Sequence, residues 1–192
     1  MPTIDILGEP VEIEFVVGEG ATEADLDRDT LLAGVEEMAA LINSKAEEWS
    51  PDYRGAFCGI DKIVFFAGKV MNGDYLMDRP FCDLDDAQFW WEAEEFMRNT
   101  NADVRANTFF HDCWHVVQFK AGGYAYEEHE QVWREVDAID HQIAVARTLG
   151  CDADEIGHLE NFQGDQQLII ARLDEGVETL ARHRAGALGR NA

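Results

Sequence analysis

Positive charge is scarce in this chain. It has 15 basic residues against 39 acidic ones, a formal net charge of −24, and its lysines are limited to Lys45, Lys62, Lys69 and Lys120. Such a field repels phosphates and anionic headgroups, so nucleic acid and anionic membranes are excluded as direct partners. The acids are interspersed with apolar positions and form no dedicated run, which argues against mimicry of DNA. A basic protein is the macromolecular partner that the charge would favour.

Paired cysteines are also missing. Cys58, Cys82, Cys113 and Cys151 lie far apart with no C-x-x-C, so neither a zinc knuckle nor a thioredoxin-like motif is present, and all four read as buried, reduced thiols. The start, Met1-Pro2-Thr3-Ile4-Asp5, has no basic stretch followed by an apolar one, and no run is long enough to span a bilayer. The expected location is cytoplasmic. No repeat, low-complexity stretch or linker interrupts the chain.

With 192 residues, 46% of them hydrophobic and 10% aromatic, the chain can bury one good core, and a single domain over 1–192 is expected. Val11 to Val17 alternates apolar with acidic residues and reads as a strand closed by Gly18-Glu19-Gly20; Gly59 to Gly68 is the clearest strand. A first helix is expected over Leu31 to Trp49 and a second from Asp85 or Asp86 to about Asn99, burying Phe89, Trp90, Trp91, Phe96 and Met97. A third helix carries the apolar run Phe109 to Phe119 and stops at Gly122-Gly123. A fourth runs from about Glu127 to Leu149 and a last one from about Asp165 to Ala187. The expected fold is α+β and mostly helical with a small sheet, strands plus the first helix in 1–82 and the helical part in 83–192.

The third helix holds the most specific pattern, His111-Asp112-Cys113-Trp114-His115. Four residues advance a helix by about 400°, so the two imidazoles share a face one turn apart and can converge on one metal ion. The flanking Phe109, Phe110, Trp114, Val116, Val117 and Phe119 predict a buried helix, in which two histidines and an aspartate need partners. On the fourth helix the stripe Val132, Val136, Ile139, Ile143 and Ala146 defines the core face. Glu135 and Asp140 lie roughly 70° to either side of its centre, whereas Asp137 and His141 are expected to point away from it.

The run His111 to Gln118, a Gly-containing break, and Glu135 twenty residues after His115 together resemble the zincin metallopeptidases of the Glu-ligand (gluzincin) type. In that family the motif is H-E-x-x-H: both histidines bind zinc, the Glu activates water, and a Glu from a later helix is the third protein ligand. The resemblance implies a zincin-like core with Zn2+ held by His111, His115 and Glu135, Asp140 as fallback ligand, and a peptide or protein substrate. It also implies Asp112 as general base, and Gly59 to Gly68 as the edge strand along which a substrate lies. Oxyanion or substrate contacts would come from Tyr124, Tyr126, His129, His141 or His158. It covers about 40 residues, Thr108 to Gly150, and departs from the family in one place. Asp112 is a methylene shorter than the family's Glu, so its carboxylate reaches roughly 1.5 Å less far, and a role orienting a histidine stands beside that of base.

Other readings keep a place beside this one. Two His and one carboxylate also suit iron(II) or manganese. Asp112-x-x-His115 with Glu155-x-x-His158 echoes the E-x-x-H pairs of di-iron bundles, although the strands and the Gly-containing setting of Glu155 count against one. The phosphohydrolases with an adjacent His-Asp pair need an upstream histidine, and His111 is the first in the chain. Without catalysis, the same scaffold would serve an acidic protein that binds or regulates a basic partner.

Overall fold

A computed structural model describes residues 1–72, 75–77, 81–123 and 128–164. The fold is α+β. Its main sheet has five strands: β1 (Thr3–Ile6), β2 (Glu9–Val17), β3 (Lys62–Ala67), β7 (Gln88–Glu92) and β6 (Phe81–Asp83), in the order β1-β2-β3-β7-β6. The three inner strands run parallel and the two outer ones antiparallel to their neighbours. A two-stranded hairpin, β4 (Val70–Asn72) with β5 (Tyr75–Met77), lies between β3 and β6 in the chain. The helices are α1 (Arg28–Ser44), α2 (Pro51–Phe57), α3 (Ala93–Arg98), α4 (Ala102–Gly122), α5 (Glu128–Leu149) and α6 (Ala153–Gly164).

In β2 the alternation of Val11 and Ile13, both buried, with the exposed Glu12 dictates a half-buried strand. Along β3 the apolar run Ile63-Val64-Phe65-Phe66 is buried on both faces, as a parallel inner strand requires. Ile63 and Phe65 join Phe89, Trp91, Phe96 and Phe109 in the core between sheet and helices, while Phe66 meets Trp90 on the other face. Phe65 sits centrally: Phe96 packs edge-on against it at 4.8 Å and Trp91 stacks at 6.4 Å.

Four expectations are corrected. Residues 88–92 form β7, not the start of a helix, and only Ala93–Arg98 is helical. Phe89 and Trp91 are buried while Trp90 between them faces the other way, a period of two that three consecutive aromatics concealed. The first helix ends at Ser44, because the Trp49 indole turns back and donates to the Ile42 carbonyl at 2.9 Å. A short helix, α2, then starts at an unforeseen N-cap: Ser50 accepts from the Tyr53 amide, with Pro51 in the first turn. Glu155 and His158, whose Gly-containing segment reads from the sequence as a solvated loop, lie on the helix α6, started by Asp152, whose carboxylate takes the Glu155 amide at 2.8 Å. The strand expected to be an edge is β3, at the centre of the sheet; beside α4 the outermost strand is β6. The expected helix over 165–187 lies outside the described residues.

Candidate metal centre

The length of α4 and its antiparallel packing on α5 build the site. Asn107, His111 and His115 recur every four residues along one face of α4, opposite Glu135 and Gln142 of α5, seven residues apart on theirs. The imidazole Nε2 atoms of His111 and His115 stand 3.0 Å apart. Glu135 Oε2 is 3.4 Å from His111 Nε2, and its Oε1 is 3.3 Å from His115 Nε2. Among the described residues this is the one group of three His, Cys, Asp or Glu side chains whose ligand atoms converge, all within 4.8 Å of one another.

The neighbouring amides decide which nitrogens face inward. Gln118 directs its NH2 to two pure acceptors, the Arg134 carbonyl and Asp137 Oδ2, each at 2.9 Å. Its Oε1 therefore faces His115 Nδ1 at 2.9 Å, and that nitrogen must carry the proton. On the other side Gln142 Oε1 faces His111 Nδ1 at 3.1 Å, while its NH2 reaches the Asn107 carbonyl at 3.5 Å. Each imidazole thus donates outward from Nδ1 and turns an Nε2 lone pair inward, as a metal-ligating histidine does.

Two lone pairs and a carboxylate aimed at one point could hold a cation. Tetrahedral zinc with bonds of about 2.1 Å separates its ligands by roughly 3.4 Å; each carboxylate oxygen stands at that distance from one imidazole, so a turn of the carboxylate and a parting of the imidazoles by a few tenths of an ångström would fit the ion. Without metal a proton takes that role. Burial opposes a charge on His115, but the hydrogen bond and charge of Glu135 outweigh it and raise the imidazole to about 9. Burial likewise works against the Glu135 carboxylate, and the hydrogen bonds from His111 and His115 prevail and hold it well below the usual range. Asp112 stands outside the converging group. Burial raises its carboxyl pKa against the pull of His111 and His115, and its backbone carbonyl faces the Cys82 thiol at 3.9 Å.

The other expected residues fall elsewhere. Asp140 is exposed and holds the Gln163 side chain, so it does not approach the two imidazoles. His158 is exposed on α6, which leaves the di-iron pairing without its second histidine. Tyr124 and Tyr126 lie outside the described residues, as does the side chain of His129. His141 and Asp137 are half-buried rather than turned away, because they face α4 and α2. Asp137 Oδ2 accepts from Trp114 Nε1 at 2.8 Å, and the His141 ring lies 3.9 Å from that of Trp114 and 3.1 Å from the Tyr53 hydroxyl through Nδ1. Gln118, Gln142 and Asp137 were not foreseen; the signal for the two glutamines is their spacing, three after His115 and seven after Glu135. Comparison of the chain with family models, curated proteins and solved structures finds no match.

Proposed function

We propose that this protein is a metal-dependent hydrolase of zincin-like type, with zinc as its metal and a peptide bond as its target. The observation that carries the reading is the convergence of His111 Nε2, His115 Nε2 and the Glu135 carboxylate, with an amide oxygen on each outward Nδ1. Zinc held by these three supplies a Lewis acid that polarises a carbonyl and lowers the pKa of water to about 7. His111, His115 and Glu135 hold it, and Gln142 and Gln118 keep the rings facing it. Asp112, next to His111, is the carboxylate placed to take the proton from the attacking water.

The surroundings suit an extended substrate. Cys82 of the outermost strand β6 touches the Asp112 carbonyl, so a peptide paired to that strand would pass beside the acid. An open cleft of about 430 Å³, lined by Trp91, Glu95, Arg98, Thr108 and Glu155 among others, ends on α4 one turn before Asp112. Among the described residues no helix is long and apolar enough to cross a membrane, and a cytoplasmic location goes with this reading.

Metal content by mass spectrometry, on protein purified without a metal-affinity tag, tests the proposal beside the His111→Ala/His115→Ala double variant. About one zinc per chain, lost in the variant, is expected; iron or manganese at that stoichiometry changes the metal and keeps the site. No metal after dialysis against zinc sinks the hydrolase. The net charge of −24 then favours the second reading, a non-catalytic partner of a basic protein.

A further inference from the structure

We infer that Asp137 is a positioning residue for the metal centre, acting through Gln118 to fix the tautomer of His115. The inference rests on the metal-centre reading above, and adds that the two histidines are held by unequal means. One carboxylate oxygen, Asp137 Oδ2, takes both the Trp114 indole N–H at 2.8 Å and the Gln118 amide at 2.9 Å. The Arg134 carbonyl takes the same amide group. Neither acceptor can donate, so a flipped Gln118 would set its oxygen against two others. Gln118 is thereby locked with its Oε1 on His115 Nδ1, and the lone pair of His115 is directed at the centre.

Among the described residues His111 has no such lock. There its partner Gln142 is anchored by one long contact, 3.5 Å, to the Asn107 carbonyl. Asp137 is itself held from two sides. Trp114 belongs to the same helix as the histidines, and His141 Nε2 lies 3.6 Å from Asp137 Oδ1. The Tyr53 hydroxyl faces the other ring nitrogen of His141 at 3.1 Å. The Asp137 carboxylate only accepts, so the arrangement that satisfies both contacts has the proton of His141 on Nε2, toward Asp137, with the Tyr53 hydroxyl donating to Nδ1. Three elements, α2, α4 and α5, thus meet at a carboxylate that touches neither metal ligand directly yet determines which nitrogen of His115 is free.

The test reads the tautomer and the metal separately. Proton and nitrogen-15 NMR of the metal-free protein report whether Gln118 Oε1 holds a proton on His115 Nδ1. The expected result is a downfield, slowly exchanging Nδ1–H in the wild type, its loss in Asp137→Ala, and its return in Asp137→Asn, which keeps an acceptor and the shape. Zinc affinity by chelator competition should fall about 10–100-fold in Asp137→Ala. That loss should vanish when Asp137→Ala is made on Gln118→Met, because the route through Gln118 is already cut; a purely structural role would give additive losses. Should the alanine variant fail to fold, Asp137→Ser, which leaves a hydroxyl for Trp114, is read in the same way. An unchanged His115 Nδ1–H signal in a folded Asp137→Ala or Asp137→Ser protein overturns the inference. Failure of the wild type to bind zinc overturns the metal reading instead, and the NMR result still decides the role of Asp137.

Discussion

Glu135 Oε1 stands 3.3 Å from His115 Nε2, across the α4–α5 seam and twenty residues further along the chain. The carboxylate is the only anion in the converging group, so it would neutralise half the charge of a bound divalent ion and set the strength of the proposed site. Glu135→Gln keeps shape and removes that charge. Its zinc affinity should fall by more than the ~10–100-fold typical of losing an outer partner. Isothermal titration or chelator competition measures this, and a change under threefold would remove Glu135 from the ligand set.

The same pair makes metal-free stability depend on pH. His115 is raised from 6.5 to about 9, so its contribution is complete below about pH 6.5 and is lost as the pH rises through 9. Glu135 is lowered from 4.5, so its contribution is present above that value and lost on acidification. Thermal denaturation of the metal-free protein should show a plateau between these limits that is flattened in His115→Ala. Zinc must displace the proton, so its stabilising effect should grow from pH 6.5 to 9. A zinc effect independent of pH over that range would contradict the shared site.

The histidine helix and its partner were legible in the sequence because periodicity is strong where a long helix buries one face: α4 and α5 end within a residue or so of their expected limits. Glu135 could be reached from spacing, since twenty residues after His115 brings the chain back along α4. Asp137 and His141 were misjudged because a stripe drawn through the aliphatic residues of α5 ignores polar partners: the two side chains meet Trp114 and Gln118 of α4 and Tyr53 of α2. β7 was lost for a different reason. Phe89-Trp90-Trp91 has no polar residue to mark which side faces out, so a strand covered on both faces and a buried helix look alike until the parallel pairing with β3 separates them.

Gly34 on α1 makes room for a buried cation. A methyl group there would run into the Arg105 guanidinium and the Phe96 ring, over which that guanidinium lies at 4.1 Å. Arg105 is nearly inaccessible and holds the Phe96 carbonyl at 3.3 Å, so it has little freedom to move aside. Gly34→Ala should therefore destabilise by ~1–3 kcal/mol despite the better helix propensity of alanine. Chemical denaturation measures it, and a stabilised variant would show that Arg105 relocates easily.

Phe65 tests the junction of sheet and helices. It is fully buried on the central strand between Phe15, Trp91 and Phe96. Truncation to alanine should lower stability by ~3–5 kcal/mol. Zinc stoichiometry in the surviving folded fraction should be unchanged, because the ligands sit on α4 and α5 and not on the sheet.

Asp112 separates catalysis from metal holding. If it is the base, Asp112→Asn should keep about one zinc per chain and lose peptide hydrolysis by ~10²–10⁴-fold, the usual contribution of general base catalysis. Asp112→Glu restores the missing methylene and should retain or raise the rate, since the carboxylate gains reach toward the water. The outer-partner role predicts another pattern: both variants would shift zinc affinity and neither would change the rate once zinc is saturating. Rate and zinc content measured together on the two variants assign the role, and intact hydrolysis in zinc-saturated Asp112→Asn would remove Asp112 from the reaction.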